Sequence, residues 1–198
     1  EGLRASNRLR IAAGERLAPS PRLLESITAR LARLGHDATA VAKAVAVLGP
    51  EASVRRAAAL AEAPILTLDP VLRSLVAEGI LLDGDRDGVL ALAHPLIGEA
   101  IIAGIGPVAL QTARDRAARV LLDEGIAAAR VAGLLMLGEP AGAPWRVDVL
   151  VAAADDAIAS GAAGTAVALL TRAQRESPTA EQRLDLRSRT GRALLAAG

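Results

Sequence analysis

The sequence predicts a mainly α-helical protein, and three observations point to that class. Alanine and leucine, both strong helix formers, dominate the hydrophobic residues, which make up 52% of the 198-residue chain. Apolar residues recur every three or four positions along most of the chain, the spacing that puts them on one face of a helix. Cap-plus-proline pairs and single glycines divide the chain where helices begin and end.

The first part of the chain predicts four helices. The first begins at Ser20-Pro21, a good N-cap followed by a proline at the first helical position. Asp37 is expected to cap the second helix, Ala52 lies near the start of the third, and Asp69-Pro70 is expected to begin the fourth. The four helices are expected to end at glycine or proline, namely Gly35, Gly49-Pro50, Pro64 and Gly79.

The pattern then changes. Two short apolar runs, 80–82 and 89–92, flank an Asp/Gly-rich segment at 83–88 and predict a β-hairpin. Three helices followed by a hairpin is the element order of a winged-helix domain, so residues 1–106 are expected to form a helical linker and a winged helix. The segment also begins like a calcium loop, but position twelve of that loop holds His94 instead of a bidentate glutamate, so a hairpin turn is preferred.

From Pro95 onward the sequence again predicts helices, joined by short loops that imply antiparallel neighbours. Their expected ranges are about 95–104, 107–124, 126–137, 144–160, 162–176 and 179–197.

Part of this region matches the tetratricopeptide (TPR) pattern, which repeats about every 34 residues. The pattern has small residues at fixed distances from the glycine between two helices, and a proline after the second helix. Counted from Gly161, these positions hold Ala154, Ala166, Ala173 and Pro178. Ala157 and Leu170 occupy the aromatic positions of the pattern. Residues 107–198 are therefore expected to form a TPR-like array, truncated at its C-terminus.

Composition and charge exclude several classes of function. The 23 lysines and arginines nearly balance 22 acidic residues, which argues against a nucleic-acid-binding module. The chain has no cysteine and only His36 and His94, so thiolate and multi-histidine metal sites are excluded. Trp145 is the one aromatic residue. The longest uncharged run, 157–171, is shorter than the roughly 20 residues of a membrane span, and no signal peptide is recognisable, so a cytoplasmic protein is expected.

No catalytic motif is complete. The chain's single lysine, Lys43, lies in a predicted helix and outside any glycine-rich phosphate loop. Gly104-Ile-Gly106 lacks the third glycine of a dinucleotide site, and neither a nucleophile elbow nor a His-Glu-x-x-His motif is present. The chain is therefore not expected to be an enzyme.

Direct DNA binding by the winged helix is not expected. The presumed recognition helix offers Arg73 against Asp69 and Glu78, and the presumed wing carries three aspartates and one arginine. Phosphates would be repelled by that surface, although phosphate contacts supply most of the affinity of such domains.

By its position before Pro95, His94 is first interpreted as a structural hydrogen-bonding residue.

The segment 92–107, Leu-Ala-His-Pro-Leu-Ile-Gly-Glu-Ala-Ile-Ile-Ala-Gly-Ile-Gly-Pro, resembles a stretch of the large ATP-dependent LuxR-type transcriptional regulators. These regulators are signal-transducing ATPases with numerous domains (STAND class), and their stretch reads aromatic-x-His-Pro-Leu-x-Arg-Glu-Ala-x-Tyr-x-x-Leu-Pro. Leu92, Gly98 and Ile102 replace the aromatic, arginine and tyrosine. The segments 23–48, 69–82 and 161–178 also resemble the family.

The resemblance implies a middle regulatory segment of a nucleotide-controlled transcriptional activator. In these regulators the domains follow one another in the order nucleotide-binding domain, winged helix, helical-repeat sensor and C-terminal helix-turn-helix. The implied partners are the chain's own nucleotide-binding domain and an inducer or protein on the repeats, with DNA bound by the helix-turn-helix. ADP or ATP would belong to the parent protein, with no cofactor in this segment. His94 matches a histidine that reaches the β-phosphate of ADP and holds a closed, inactive state.

The alternative, from another functional class, is a free-standing helical-repeat scaffold without nucleotide binding. It expects an apolar face of the repeats to bind a peptide or protein, and it leaves His94 a structural residue.

Overall fold

The computed structural model describes residues 19–83 and 88–197, and the predicted mainly helical class is confirmed. Two 3-10 turns, Gly49–Glu51 and Ile65–Thr67, follow the second helix and precede the fourth. The described residues form ten α-helices: α1 (Pro21–Leu34), α2 (His36–Leu48), α3 (Val54–Ala61), α4 (Leu68–Ala77), α5 (Pro95–Ala103), α6 (Pro107–Asp123), α7 (Ala128–Met136), α8 (Pro144–Ala159), α9 (Ala163–Gln174) and α10 (Ala180–Ala197).

Prolines begin several of these helices, where their sequence positions predict. Pro21, Pro95, Pro107 and Pro144 each occupy the start of a helix, where the missing N–H has no intrahelical partner to lose. At α1 the hydroxyl of Ser20 also accepts a hydrogen bond from a first-turn backbone N–H at 3.3 Å. These starts depend on local chemistry, which explains why sequence alone predicts them.

Two predicted caps are each wrong by two residues, since the caps of α2 and α4 are Gly35 and Thr67. α2 begins at His36 with Gly35 in the cap position, so Asp37 lies in the first turn and does not cap the helix. Asp69 likewise lies in the first turn of α4, where its carboxylate pairs with the guanidinium of Arg73 at 3.3 Å. A carboxylate anywhere in the first turn interacts favourably with the helix dipole, so its position does not specify the first helical residue.

The predicted β-hairpin is not seen, since the described residues contain no strand. The two apolar runs meet at a single antiparallel bridge between Leu81 and Leu92. The backbone N–H of Leu82 donates to the carbonyl of Ala91 at 2.9 Å. Residues 84–87, which include most of the predicted turn and calcium-like loop, lie outside the described residues.

The second apolar run divides its hydrogen bonds between two partners, which explains why no strand forms. Val89 bridges Ser53 in the segment before α3. The N–H of Leu90 donates to the carbonyl of Ala52 at 3.0 Å, whereas the end of the run pairs with the other apolar run. Neither pairing therefore extends beyond an isolated bridge.

α2 lies at the centre of the first half of the fold, where it packs against α1, α3, α4, α5 and α6. From α6 onward, each helix packs on the next one in the chain. α6 also packs on α2 and α3, so the apolar core continues from the first half into the second. The predicted domain ranges, 1–106 and 107–198, meet at the connection between α5 and α6, and they remain a prediction.

The second half has contacts at a regular sequence spacing. Four residue pairs that are 34 positions apart are joined by side-chain hydrogen bonds. They join Arg172 to the carbonyl of Gly138 at 2.7 Å, Gly142 to Glu176 at 3.1 Å, Gln182 to Asp148 at 2.9 Å and Arg189 to Asp155 at 2.5 Å. All four contacts therefore share one sequence spacing, which is the spacing that the predicted TPR-like pattern would require.

The small residues of the predicted TPR pattern lie where two helices meet. Ala154 in α8 and Ala166 and Ala173 in α9 are fully buried. Gly161, in the turn between the two helices, has φ of +78°. Alanine at the contact lets the two backbones approach closely, and a positive φ favours glycine in the turn.

Replacing Gly161 by alanine is expected to destabilise the chain by about 1 kcal/mol, because an alanine at positive φ is strained. A Cβ at this position would meet no atom within 4 Å, so the cost is conformational alone. The control is Gly191→Ala in α10, where a Cβ also has open space but the backbone is helical. This control is expected to stabilise by about 0.5–1 kcal/mol. Urea unfolding measures both, and an equal effect of the two changes would contradict the expectation.

Candidate functional site

His94, the residue singled out in the sequence, is the N-cap of α5 and is exposed. Its Nδ1 accepts a hydrogen bond from the backbone N–H of Leu96 at 3.1 Å. In the neutral imidazole the proton must then reside on Nε2, since only one ring nitrogen carries it. Nε2 has no further hydrogen bond within the described residues, so it presents a donor at the positive end of a helix.

Leu92 and Gly98, two residues at which this chain differs from the resembled stretch, lie against one another close to His94. A Cβ on Gly98 would approach Cδ1 of Leu92 to 2.8 Å, too close for an undisturbed contact. The side chain of Leu92 therefore takes up the space that a side chain at position 98 would need. Ile102, the third departure, packs partly buried against the core.

Sequence reasoning missed a buried cluster of charged side chains between α6, α8 and α9. Glu176 just after α9 is fully buried, and Arg146 and Arg172 are 2% and 7% exposed. The Glu176 carboxylate accepts hydrogen bonds from the backbone N–H groups of Ala141 and Gly142, at 2.9 and 3.1 Å. It thereby holds the loop between α7 and α8 against the end of α9.

Two arginines and a second carboxylate complete this buried cluster. The guanidinium of Arg146 lies 3.3 Å from the carboxylate of Glu176, and it also pairs with Asp115 in α6. Arg172 donates from Nε to Glu176 at 3.0 Å, and its Nη2, 2.9 Å from the same oxygen, makes an ion pair without hydrogen-bond geometry. Two positive and two negative groups therefore balance: Arg146, Arg172 and Glu176 are buried, and Asp115, whose side chain is 32% exposed, pairs with Arg146 at the edge of the cluster.

The surroundings of Glu176 change its acidity. Burial by itself would raise the pKa of the carboxyl group, because it disfavours the charged form. The backbone donors of Ala141 and Gly142, together with the charges of Arg146 and Arg172, outweigh burial and lower the pKa below its ordinary value of 4.5. The carboxylate is consequently ionised at neutral pH.

An open groove runs along α7, α8 and α9, with a volume of about 390 Å³. Small residues, including Ala129, Gly133 and Ala168, line most of it, and Met136, which also lines it, is 40% exposed. Its lining is mainly apolar, which suits an apolar side chain of a peptide or protein.

Neither 19–83 nor 88–197 contains a group of three or more His, Asp or Glu side chains placed to hold a metal ion. None of the helices in these ranges combines the length and the hydropathy needed to cross a bilayer.

Comparison with known proteins identified no relative of the chain. No family model, no curated protein and no solved structure matches it.

Proposed function

We propose that this chain is the middle regulatory segment of a nucleotide-controlled transcriptional activator. It would couple a nucleotide-binding domain to a helical-repeat sensor in a cytoplasmic protein. The observation that carries the proposal is the geometry of His94, whose Nδ1 is engaged by α5 so that Nε2–H is directed to the surface as a hydrogen-bond donor. The segment itself performs no catalysis.

The element order of the first half supports a winged helix. α2, α3 and α4 are followed by the two apolar runs, and the segment before α3 pairs with the second run through Ser53 and Val89. A strand-like segment between the first two helices and two paired runs after the third is the order of a small winged-helix sheet, here reduced to isolated bridges.

The second half supports a TPR-like sensor, because α6 to α10 pack in chain order and contact one another at a spacing of 34 residues. An array of this kind offers an extended surface to an inducer or protein.

DNA contact is assigned to a helix-turn-helix elsewhere in the regulator. The guanidinium of Arg73 on α4, the presumed recognition helix, is paired with Asp69, and Glu78 at the end of α4 pairs with Arg33 at 3.3 Å. This surface therefore has little positive charge to offer to phosphates.

The proposed role of His94 is to sense the nucleotide. Nε2–H would donate to a β-phosphate oxygen of ADP held by the nucleotide-binding domain, and α5 would add the favourable field of its N-terminus. A contact made with ADP but not with ATP biases the closed state by its differential free energy. The histidine would thus link the phosphate state to the position of the winged helix.

In the complete regulator, His94→Ala is expected to speed the release of ADP by about tenfold, the worth of one hydrogen bond to a charged group. His94→Asn separates the two roles of the side chain, because asparagine also caps helices but lacks the Nε2 donor. It is expected to release ADP as fast as His94→Ala while keeping more of the thermal stability. Stopped-flow release of a fluorescent ADP analogue measures the rates.

The control for these variants is His36→Ala, at an exposed histidine in the first turn of α2. It is expected to leave ADP release unchanged. Unaltered release from both His94 variants would exclude the sensor role.

A free-standing helical-repeat scaffold is the second candidate, and the apolar groove along α7, α8 and α9 favours it. Sequencing the reading frame on both sides of the chain distinguishes the activator from the scaffold. A phosphate-binding loop upstream and a helix-turn-helix downstream support the activator, whereas a stop codon close to Gly198 without an upstream loop supports the scaffold.

A further inference from the structure

A cleft distinct from the apolar groove along α7, α8 and α9 lies where the two halves of the fold meet. It does not include His94. It is a cleft of about 430 Å³ between α3, α6, the loop before α8 and the start of α8. Its apolar wall includes Ala59, Val120 and Ala143, and its charged lining consists of three arginines and one aspartate. This volume lies in the range of pockets that bind small molecules.

The charged side chains of the cleft differ in whether they have an ion-pair partner. Arg146 and Asp115 pair with each other and belong to the buried cluster. Arg116 pairs at 2.7 Å with Glu62, whose side chain is 73% exposed, so this ion pair is screened by water and open to exchange. Arg119 has no carboxylate partner within the described residues; its guanidinium carbon lies 4.1 Å from the centroid of the Trp145 ring.

The stacked geometry prepares Arg119 for an anion. The indole face holds the guanidinium by a cation–π contact, which restricts the side chain before any ligand arrives. The N–H edges of a stacked guanidinium stay available, and they match the two oxygens of a carboxylate or phosphate. Trp145 is also the chain's single aromatic residue, so its place on the wall of this cleft is not a consequence of an aromatic core.

We propose that this cleft binds a small organic anion, independently of the nucleotide role of His94. The carboxylate or phosphate group of the ligand pairs with Arg119, and with Arg116 after exchange for Glu62. The ligand's apolar part lies against the wall formed by Ala59, Val120 and Ala143. Such a ligand contacts α3, α6 and α8 at once, so it ties the two halves of the fold together.

Trp145 fluorescence reports on this cleft alone, since the chain has no other tryptophan. At low ionic strength the chain is titrated with benzoate, phenyl phosphate and, as a neutral isostere, benzamide, and calorimetry repeats each titration without relying on the indole. We expect saturable binding of at least one of the two anions and none of benzamide. The stronger of the two anions identifies the ligand as a carboxylate or a phosphate ester.

Three variants test the assignment. Arg119→Gln is expected to weaken anion binding by about tenfold or more, since a bidentate charged contact is lost. Glu62→Gln is expected to tighten it severalfold, because it frees Arg116. Arg73→Gln, at an exposed ion pair outside the cleft, is the control and leaves binding unchanged.

Absence of saturable binding of both anions, equal binding of benzamide, or unaltered binding by Arg119→Gln would each overturn the proposal. Circular dichroism verifies that each variant remains folded, and Glu62→Gln supplies a gain of affinity that misfolding cannot imitate.

Discussion

Glu176→Gln is expected to destabilise the chain by about 3–5 kcal/mol, the usual cost of removing one partner from a buried ion pair. The substitution keeps the size of the side chain but leaves Arg146 and Arg172 with an excess of buried positive charge. It also weakens the hydrogen bonds that hold the loop between α7 and α8. Urea unfolding followed by circular dichroism measures the free energy of unfolding.

The matched control is Glu25→Gln in α1, where the glutamate is exposed. A surface change of this kind is expected to alter the free energy of unfolding by no more than about 0.5 kcal/mol. Similar small losses for the two variants would mean that the buried cluster contributes little to stability.

The same carboxylate predicts a dependence of stability on pH. The pKa of Glu176 is lower in the folded chain than its ordinary value of 4.5, so the ionised form favours folding. This contribution is fully present above pH 4.5 and is lost as the pH falls through the lower pKa of the folded state. Glu176→Gln should therefore lose less stability than the parent chain on acidification from neutral pH to about pH 3. Parallel acid-dependent losses in both chains would contradict this origin.

Leu150→Ala is the second change with a large expected effect, a loss of about 2–5 kcal/mol from the cavity that it leaves. Leu150 in α8 is fully buried. The spacing of 34 residues that separates Asp148 from Gln182 leads from Leu150 to Leu184 in α10, which is 75% exposed. Leu184→Ala removes the same atoms 34 positions later in the chain and is expected to change stability by no more than about 0.5 kcal/mol.

Thermal and urea unfolding of the two leucine variants provide the measurement. A large loss from Leu184→Ala would show that the α10 face is covered in solution. Equal, small losses from both variants would contradict the packing of α8 on α9.

The candidate sites differ in how far the sequence could predict them. The sequence predicts that His94 stands at the start of a helix because that signal is local, a histidine followed by a proline, whereas its sensor role is implied by the family resemblance alone. The buried cluster was missed because Arg172 and Glu176 lie four residues apart, a spacing that is equally typical of an exposed helical ion pair. Their burial depends on Arg146, 30 positions from Glu176 in the sequence, and on a loop whose path no local pattern specifies.

The sequence by itself determined the helical class, most of the helix starts and ends, and the small residues at the contact of α8 with α9. These features follow from propensity, capping and periodicity, which act within a few residues. Only the tertiary structure decided that the backbone of Leu90 pairs with that of Ala52. The expected hairpin between the two apolar runs is therefore limited to the isolated bridge of Leu81 with Leu92. The tertiary structure also decided that Glu176 is buried and that Arg119 stacks on Trp145. The pairing of Leu90, the burial of Glu176 and the stacking of Arg119 each depend on contacts between segments that are far apart in the chain. Patterns within a few residues therefore cannot predict them.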